Sequence, residues 1–151
     1  FVTSVMGWYD MEKQELTFVN CGHNPVLLLD ESGHKLFDQT SPPLGVVGKE
    51  DFSPSIVTLA YTPLSVLYIV TDGISEAMIK VTKDKEQEIG MEGLLRITQK
   101  QTTLSAIERA KQTLALIRSQ KLRATDDATI LVIMYEEIAS EASPSKNENQ
   151  S

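Results

Sequence analysis

The residues best placed to do chemistry are acids at the ends of apolar runs. Val66-Leu67-Tyr68-Ile69-Val70-Thr71-Asp72-Gly73 sets a carboxylate just beyond a strongly apolar segment, with a glycine beside it that permits a sharp turn. Asp126-Asp127 stands just before a second apolar run, Thr129-Ile130-Leu131-Val132-Ile133-Met134-Tyr135. If the two runs are neighbouring strands, Asp72 and Asp126 can face one cation. Hard divalent ions such as Mg²⁺ or Mn²⁺ take oxygen ligands, and magnesium keeps several waters, so few protein ligands suffice. Taken singly, both acidic pairs are also ordinary turn residues. His23, within Asn20-Cys21-Gly22-His23-Asn24-Pro25, has two readings. Its imidazole can act as an acid or hydrogen-bond donor near neutral pH. It can instead lock the turn through a backbone hydrogen bond, the role a strand end favours. Asn24 shares that ambiguity.

Other polar groups carry less. Cys21 is expected as a small buried residue rather than a reactive thiol, and His34 as an exposed one. Lys80, Lys83 and Lys85 are interrupted by Asp84, Glu86 and Glu88, the pattern of a solvated mixed-charge loop. Arg96, Arg109, Arg118 and Arg123 form no recognisable phosphate clamp. One cysteine and two histidines exclude a disulfide framework and a cysteine- or histidine-based metal cluster, and favour a reducing, cytoplasmic setting. A net charge of -7 without a basic patch argues against a nonspecific nucleic-acid binder. No apolar run nears the roughly 18 residues of a membrane span. The start, Phe1-Val2-Thr3, shows no targeting segment, and the absence of an initial Met suggests processing or a fragment.

The elements that must position these groups follow from periodicity. Phe1–Tyr9 and Glu15–Asn20 read as a hairpin, Pro25–Leu29 as a third strand closed by a turn at Gly33, and Lys35–Asp38 as a short strand. Ile56–Ala60 and Val66–Val70 are further strands. Between Gly90 and Lys121 the period becomes helical. Met91, Leu94, Leu95 and Thr98 mark a short helix, and Leu104, Ile107, Leu114 and Ile117 a longer one. Ser105-Ala106-Ile107-Glu108 matches a capping box, although Thr103 serves equally as a start. The run from Thr129 to Tyr135 is expected to be a central strand if fully buried, and residues 139–151 a solvated polar tail after a folded unit at 1–138.

The ordered series Asn20-Cys21-Gly22-His23-Asn24-Pro25, Pro43-Leu44-Gly45, Thr71-Asp72-Gly73-Ile74-Ser75-Glu76-Ala77, Gly90-Met91-Glu92 and Asp126-Asp127-Ala128-Thr129 resembles the metal-dependent (type 2C-like) serine/threonine protein phosphatases. Within them it is most similar to the bacterial sporulation stage II protein E and sigma-factor regulator branch. The resemblance implies an α+β fold, a partial α-β-β-α sandwich of antiparallel sheets with outer helices, lacking the amino-terminal portion of the domain. It implies Asp72 and Asp126 as metal ligands, with Asp127 and Gly73 supporting them from behind, and two Mn²⁺ or Mg²⁺ ions in the complete domain. The implied reaction is hydrolysis of phosphoserine or phosphothreonine on a regulatory protein, an anti-sigma-factor antagonist by type, through a metal-activated water. The Lys80–Lys85 segment would lie beside the catalytic face, where it could help dock a phosphorylated partner. An upstream Asp-containing glycine motif that supplies a bridging ligand in the family is not in this sequence. Pro63-Leu64-Ser65 replaces a familiar acidic turn position, and Ile89 replaces an aromatic one. A catalytically deficient phosphoprotein-binding module therefore stands as the alternative, and this chain alone is expected to be inactive.

Overall fold

The computed structural model describes residues 1–38, 40–82, 85–120 and 127–135. Its strands are β1 (Ser4–Asp10), β2 (Glu15–Cys21), β3 (Val26–Asp30), β4 (Gly33–Phe37), β5 (Ile56–Ala60), β6 (Val66–Val70), β7 (Met78–Thr82), β8 (Lys85–Glu88) and β9 (Ile130–Met134). The helices are α1 (Asp72–Ser75), α2 (Gly90–Thr98) and α3 (Ala106–Gln120). All strand pairs within the sheets are antiparallel, in the orders β1-β2-β5 and β4-β3-β6-β9, with β7-β8 as a separate ribbon. Residues 139–151, the proposed boundary at 138, Lys83, Asp84, Arg123 and Asp126 lie outside the described residues.

Two cores separate three layers. Successive side chains of a strand point to opposite faces, so a strand sandwiched between layers reads as an unbroken apolar run. In β3, Val26 and Leu28 join Leu16, Phe18, Tyr61 and Leu67 between the two sheets, while Leu27 faces the helices with Tyr68, Val70, Leu94, Leu95 and Ile117. β6 divides likewise, with Leu67 on one side and Val66, Tyr68 and Val70 on the other. Its continuous hydrophobicity is thus the signature of a strand buried on both faces. β5, covered on one face, shows clean alternation instead: Val57 and Leu59 are half-buried, while Ile56, Thr58 and Ala60 are exposed.

Three expectations are corrected. The Thr129–Tyr135 run forms β9 at the edge of its sheet, and Leu131 and Ile133 are exposed while Ile130, Val132 and Met134 pack toward the helices. The charged stretch read as a loop contains the β7–β8 hairpin, with Lys80 opposite Glu86, a cross-strand pair of opposite charge. In α3, Ile107 is exposed; Ile117 is buried and Leu114 packs beside it as expected, but the buried stripe also takes in Arg109 and Thr113. The cap is settled in favour of Ser105, which receives the Glu108 N–H on its Oγ and donates its own N–H to the Glu108 carboxylate.

The turn before β6, where an acid was expected, is closed by Ser65. Its Oγ accepts the Thr62 N–H at 3.0 Å, and its N–H donates to the Thr62 carbonyl at 2.9 Å. Ile89, the other departure, is buried in the helix-side core. Tyr61, at the end of β5, ties the layers together. Its hydroxyl donates to the Ile133 carbonyl of β9 at 2.6 Å, and its own carbonyl accepts the Tyr9 hydroxyl at 3.2 Å. Burial pushes the Tyr61 phenol up to about 12. Because the folded-state pKa exceeds the unfolded 10.0, this group's stabilisation is complete below pH 10.0 and is lost as pH rises toward about 12. Tyr61→Phe should cost about 0.5–1.5 kcal/mol near neutrality. It should also flatten the stability loss between pH 10.0 and about 12, measured by urea unfolding across that range against the parent chain.

Candidate functional site

The site is built where the C-terminal end of β6 meets the turn between β2 and β3. Asn20, the penultimate residue of β2, is buried, and its side chain organises that turn. Its Nδ2 donates to the carbonyls of His23 and Asn24 at 3.2 and 3.0 Å, and its Oδ1 accepts the His23 N–H at 2.8 Å. The lock expected of the His23 ring therefore belongs to Asn20, and the ring itself makes no hydrogen bond among the described residues. Gly22 holds φ +69°, and a Cβ there would sit 2.4 Å from Pro43 Cγ, so only glycine lets the turn press on the Pro43 ring. That contact explains why Gly22-His23-Asn24 and Pro43-Leu44-Gly45 belong together. The Pro43 loop is anchored in turn by paired backbone bonds between Leu44 and Val2 and by the Ser41 N–H on the Asn20 carbonyl. Cys21 is fully buried, as expected, and His34 is exposed on β4.

Asn24 reaches across to the acidic segment. Its Nδ2 donates to the Val70 carbonyl and to Ser75 Oγ, both at 3.2 Å, joining the β2–β3 turn to the end of β6 and to α1. Its role is thus to position the segment that carries Asp72. Asp72 opens the single turn of α1 and is exposed; its Oδ1 accepts the Gly73 N–H at 2.9 Å, and its other carboxylate oxygen makes no hydrogen bond among the described residues. Gly73 lies buried within that helical turn and is not among the residues with positive φ. Its use is to present an N–H to the carboxylate at close range, rather than to reverse the chain.

The second acidic segment is brought beside the first. β6 and β9 pair antiparallel with Val70 opposite Ile130, which meets the condition on which a shared cation depends. Thr71 continues the pairing past the strands: its N–H donates to the Thr129 carbonyl at 3.1 Å, its Oγ1 donates to the Asp127 carbonyl at 3.0 Å, and that Oγ1 accepts the Thr129 N–H at 2.9 Å. The chain just before β9 is therefore fastened to the residue preceding Asp72. Asp127 is exposed there, and Asp126 precedes it outside the described residues. A cavity of about 150 Å³ is lined by Thr3, Gly22, His23, Asn24, Thr71 and Asp72. Two motifs separated by nearly fifty residues of sequence thus share one wall. Among the described residues no group of three or more His, Cys, Asp or Glu side chains is gathered to hold a metal.

Residues 1–136 match the family described as Stage II sporulation protein E (SpoIIE). The chain belongs to the SpoIIE family. It is 35% identical over 77 residues to the phosphoserine phosphatase RsbP of Bacillus subtilis, a stretch covering 50% of this chain and 19% of RsbP. The fold is that of the SiaA-PP2C domain of Pseudomonas aeruginosa, with a TM-score of 0.72 at 15% identity, covering 89% of this chain and 52% of that one. The Mn-presoaked phosphatase domain of the Bacillus subtilis cell fate determinant SpoIIE gives 0.66 at 16% identity, covering 89% and 57%. The chain therefore spans about half the length of these solved PP2C-type structures and a fifth of RsbP. The mixed α+β architecture of antiparallel sheets expected from the motifs is the one observed, as part of a PP2C-type domain.

The Asn20 lock went unpredicted, although an Asx residue just ahead of a glycine turn is its sequence signal. The Thr71 clamp leaves no signal, because a threonine after a strand is common. Thr71→Val removes the hydroxyl but keeps the shape, and leaves the Thr129 N–H without its partner. It should cost about 0.5–1.5 kcal/mol and raise the hydrogen-exchange rate of the Thr129 amide, whereas Thr71→Ser should restore both. Equal exchange at Thr129 in all three proteins would remove the clamp.

Proposed function

We propose that this chain forms the part of a metal-dependent serine/threonine protein phosphatase that carries Asp72, and that the full-length protein hydrolyses phosphoserine or phosphothreonine on a regulatory protein. The observation that carries the reading is the convergence of the Gly22–Asn24 turn, Thr71 and Asp72 around one cavity, with the chain preceding β9 bonded to Thr71, in a member of the SpoIIE family. The similarity to the phosphoserine phosphatase RsbP supports phosphoserine as the group attacked, and the resemblance of the motifs to the sigma-factor regulator branch makes the substrate an anti-sigma-factor antagonist by class, in a cytoplasmic setting. No helix among the described residues is long and apolar enough to cross a membrane.

The donor chemistry fits a hard divalent cation. Asp72 offers a carboxylate oxygen with no hydrogen bond among the described residues, and oxygen ligands with retained water are what Mg²⁺ or Mn²⁺ requires. We assign Asp72 and Asp126 as ligands of a pair of such ions, with the remaining ligands coming from sequence outside these residues. Bound there, the ions would supply positive charge that acidifies a water and stabilises phosphoryl oxygens. The chain's own residues do the positioning. The Gly73 N–H orients one oxygen of Asp72 and leaves the other available as a ligand. Asn24 holds α1 against β6, and Thr71 holds the Asp127 backbone at the same end of the sheet. His23 lines the cavity with its ring uncommitted, available to donate to phosphate. Asp127 and Gly73 support this arrangement rather than ligate.

Asp72→Asn and Asp126→Asn in the full-length protein should each weaken Mn²⁺ binding on the order of tenfold or more and abolish phosphate release from a phosphoserine peptide, with Glu137→Gln as an unaffected control. Calorimetric Mn²⁺ titration beside the phosphate-release assay separates the readings. Unchanged affinity in either variant removes that residue as a ligand. A folded, metal-saturated parent protein without activity favours the phosphoprotein-binding module.

A further inference from the structure

A second cavity, of about 350 Å³, opens at the opposite end of β6 from Asp72. Val66 lines it, and the six-residue step to Asp72 corresponds to about 20 Å along an extended strand. Its volume falls within the range of small-molecule sites. One wall is Arg109, which is only 4% exposed. The Arg109 Nε donates to the Leu104 carbonyl at 2.8 Å, Nη2 to the Thr102 carbonyl at 3.0 Å and Nη1 to the Tyr68 hydroxyl at 3.0 Å. All three partners are neutral, since burial pushes the Tyr68 phenol up. A guanidinium has five N–H donors, so two remain. Among the described residues the one ion pair is Lys13 with Asp10, far from here in sequence, so Arg109 is a buried cation without an anion. That arrangement is costly unless a negative partner completes it.

The cavity also holds the opposite charge, out of reach of the first. Asp30 and Glu31 line it but make no ion pair with Arg109. Asp30 Oδ1 accepts from the Ser32 N–H and hydroxyl, which holds its carboxyl below the usual range, while its Oδ2 and the Glu31 carboxylate have no hydrogen-bond partner among the described residues. Leu29, Leu64 and Val66 provide an apolar surface. A simple anion attracted by Arg109 would be opposed by the two acids, and a simple cation by Arg109. A molecule carrying both charges and a short apolar group satisfies every wall.

We propose that this cavity binds a small zwitterion of the α-amino acid class with an apolar side chain, its carboxylate on Arg109, its ammonium toward Asp30 and Glu31, and its side chain over Leu64 and Val66. The site is independent of metal and of phosphatase activity. Calorimetric titration of the 151-residue chain with L-leucine, without added metal, should give saturable one-site binding. Isocaproate, which lacks the ammonium, and isoamylamine, which lacks the carboxylate, should each bind at least about tenfold more weakly, the scale of one charged hydrogen bond. Asp30→Asn and Arg109→Lys should weaken leucine binding by at least a similar factor. As Arg109→Lys can itself unfold the buried network, Leu64→Trp provides a second arm. Leu64 is 62% exposed, so its replacement should fill the cavity and abolish binding at unchanged melting temperature. Absence of saturable leucine binding, binding unchanged in Asp30→Asn and Leu64→Trp, or isocaproate binding as tightly as leucine would overturn the proposal.

Discussion

The antiparallel pairing of β6 with β9 is the constraint on which the site depends. Asp72 and Asp127 are more than fifty residues apart in sequence, and nothing local brings their segments together. The ladder from Val66–Met134 to Val70–Ile130 does so, and Thr71 extends it by three hydrogen bonds beyond the last paired residues. Strand registers are fixed by which side chains fit which core, because a slip of one residue would send every side chain of β6 to the opposite face. Here β6 is buried on both faces, with Leu67 toward one core and Tyr68 and Val70 toward the other, so its placement is held from two sides. The position of an exposed carboxylate is thereby decided by packing that the carboxylate itself does not touch.

Around that strand end the neighbouring motifs act as supports. Asn20 shapes the β2–β3 turn, Gly22 lets it lie against Pro43, and Asn24 carries it across to Val70 and Ser75. The motif containing His23 and the motif containing Asp72 are therefore a single mechanical unit. This also explains why the side chain that attracts attention in the sequence, His23, is not the one that bears the hydrogen bonds. A ring free of structural duty can face a cavity, whereas a ring that locked the turn could not.

Much of the fold was legible because burial leaves periodic traces. Ile56–Ala60 and Val66–Val70 were read with the bounds the structure gives them, both from their richness in residues that pack well on a pleated surface. The acidic strand ends were legible as chemistry only through the ordered series of motifs they belong to, since each taken singly is also an ordinary turn. What escaped had no such trace. The β7–β8 hairpin is rich in charge and β8 is exposed along its length, so no hydrophobic period marks it. The stripe of α3 was misplaced at Ile107 because the buried face is made partly of Arg109 and Thr113, whose polarity is met by Tyr68 and Gln101 rather than by water. β9 was to be central only if fully buried, and exposed Leu131 and Ile133 show that this condition is not met. Sequence reports how hydrophobic a residue is, not whether a neighbour arrives to cover it.

The central claim is that the β6–β9 pairing gathers the Asp72 and Asp127 segments and the Gly22–Asn24 turn about one divalent-cation site, and paramagnetic broadening tests it most directly. Substoichiometric Mn²⁺ added to the isotopically labelled chain should selectively broaden the amide signals of Asp72, Gly73, Asp127 and the Gly22–Asn24 turn, leaving those of Leu64, Thr98 and Arg109 at the far end of the sheet sharp. Uniform broadening, or broadening centred on the β7–β8 hairpin or on Asp30 and Glu31, would contradict it.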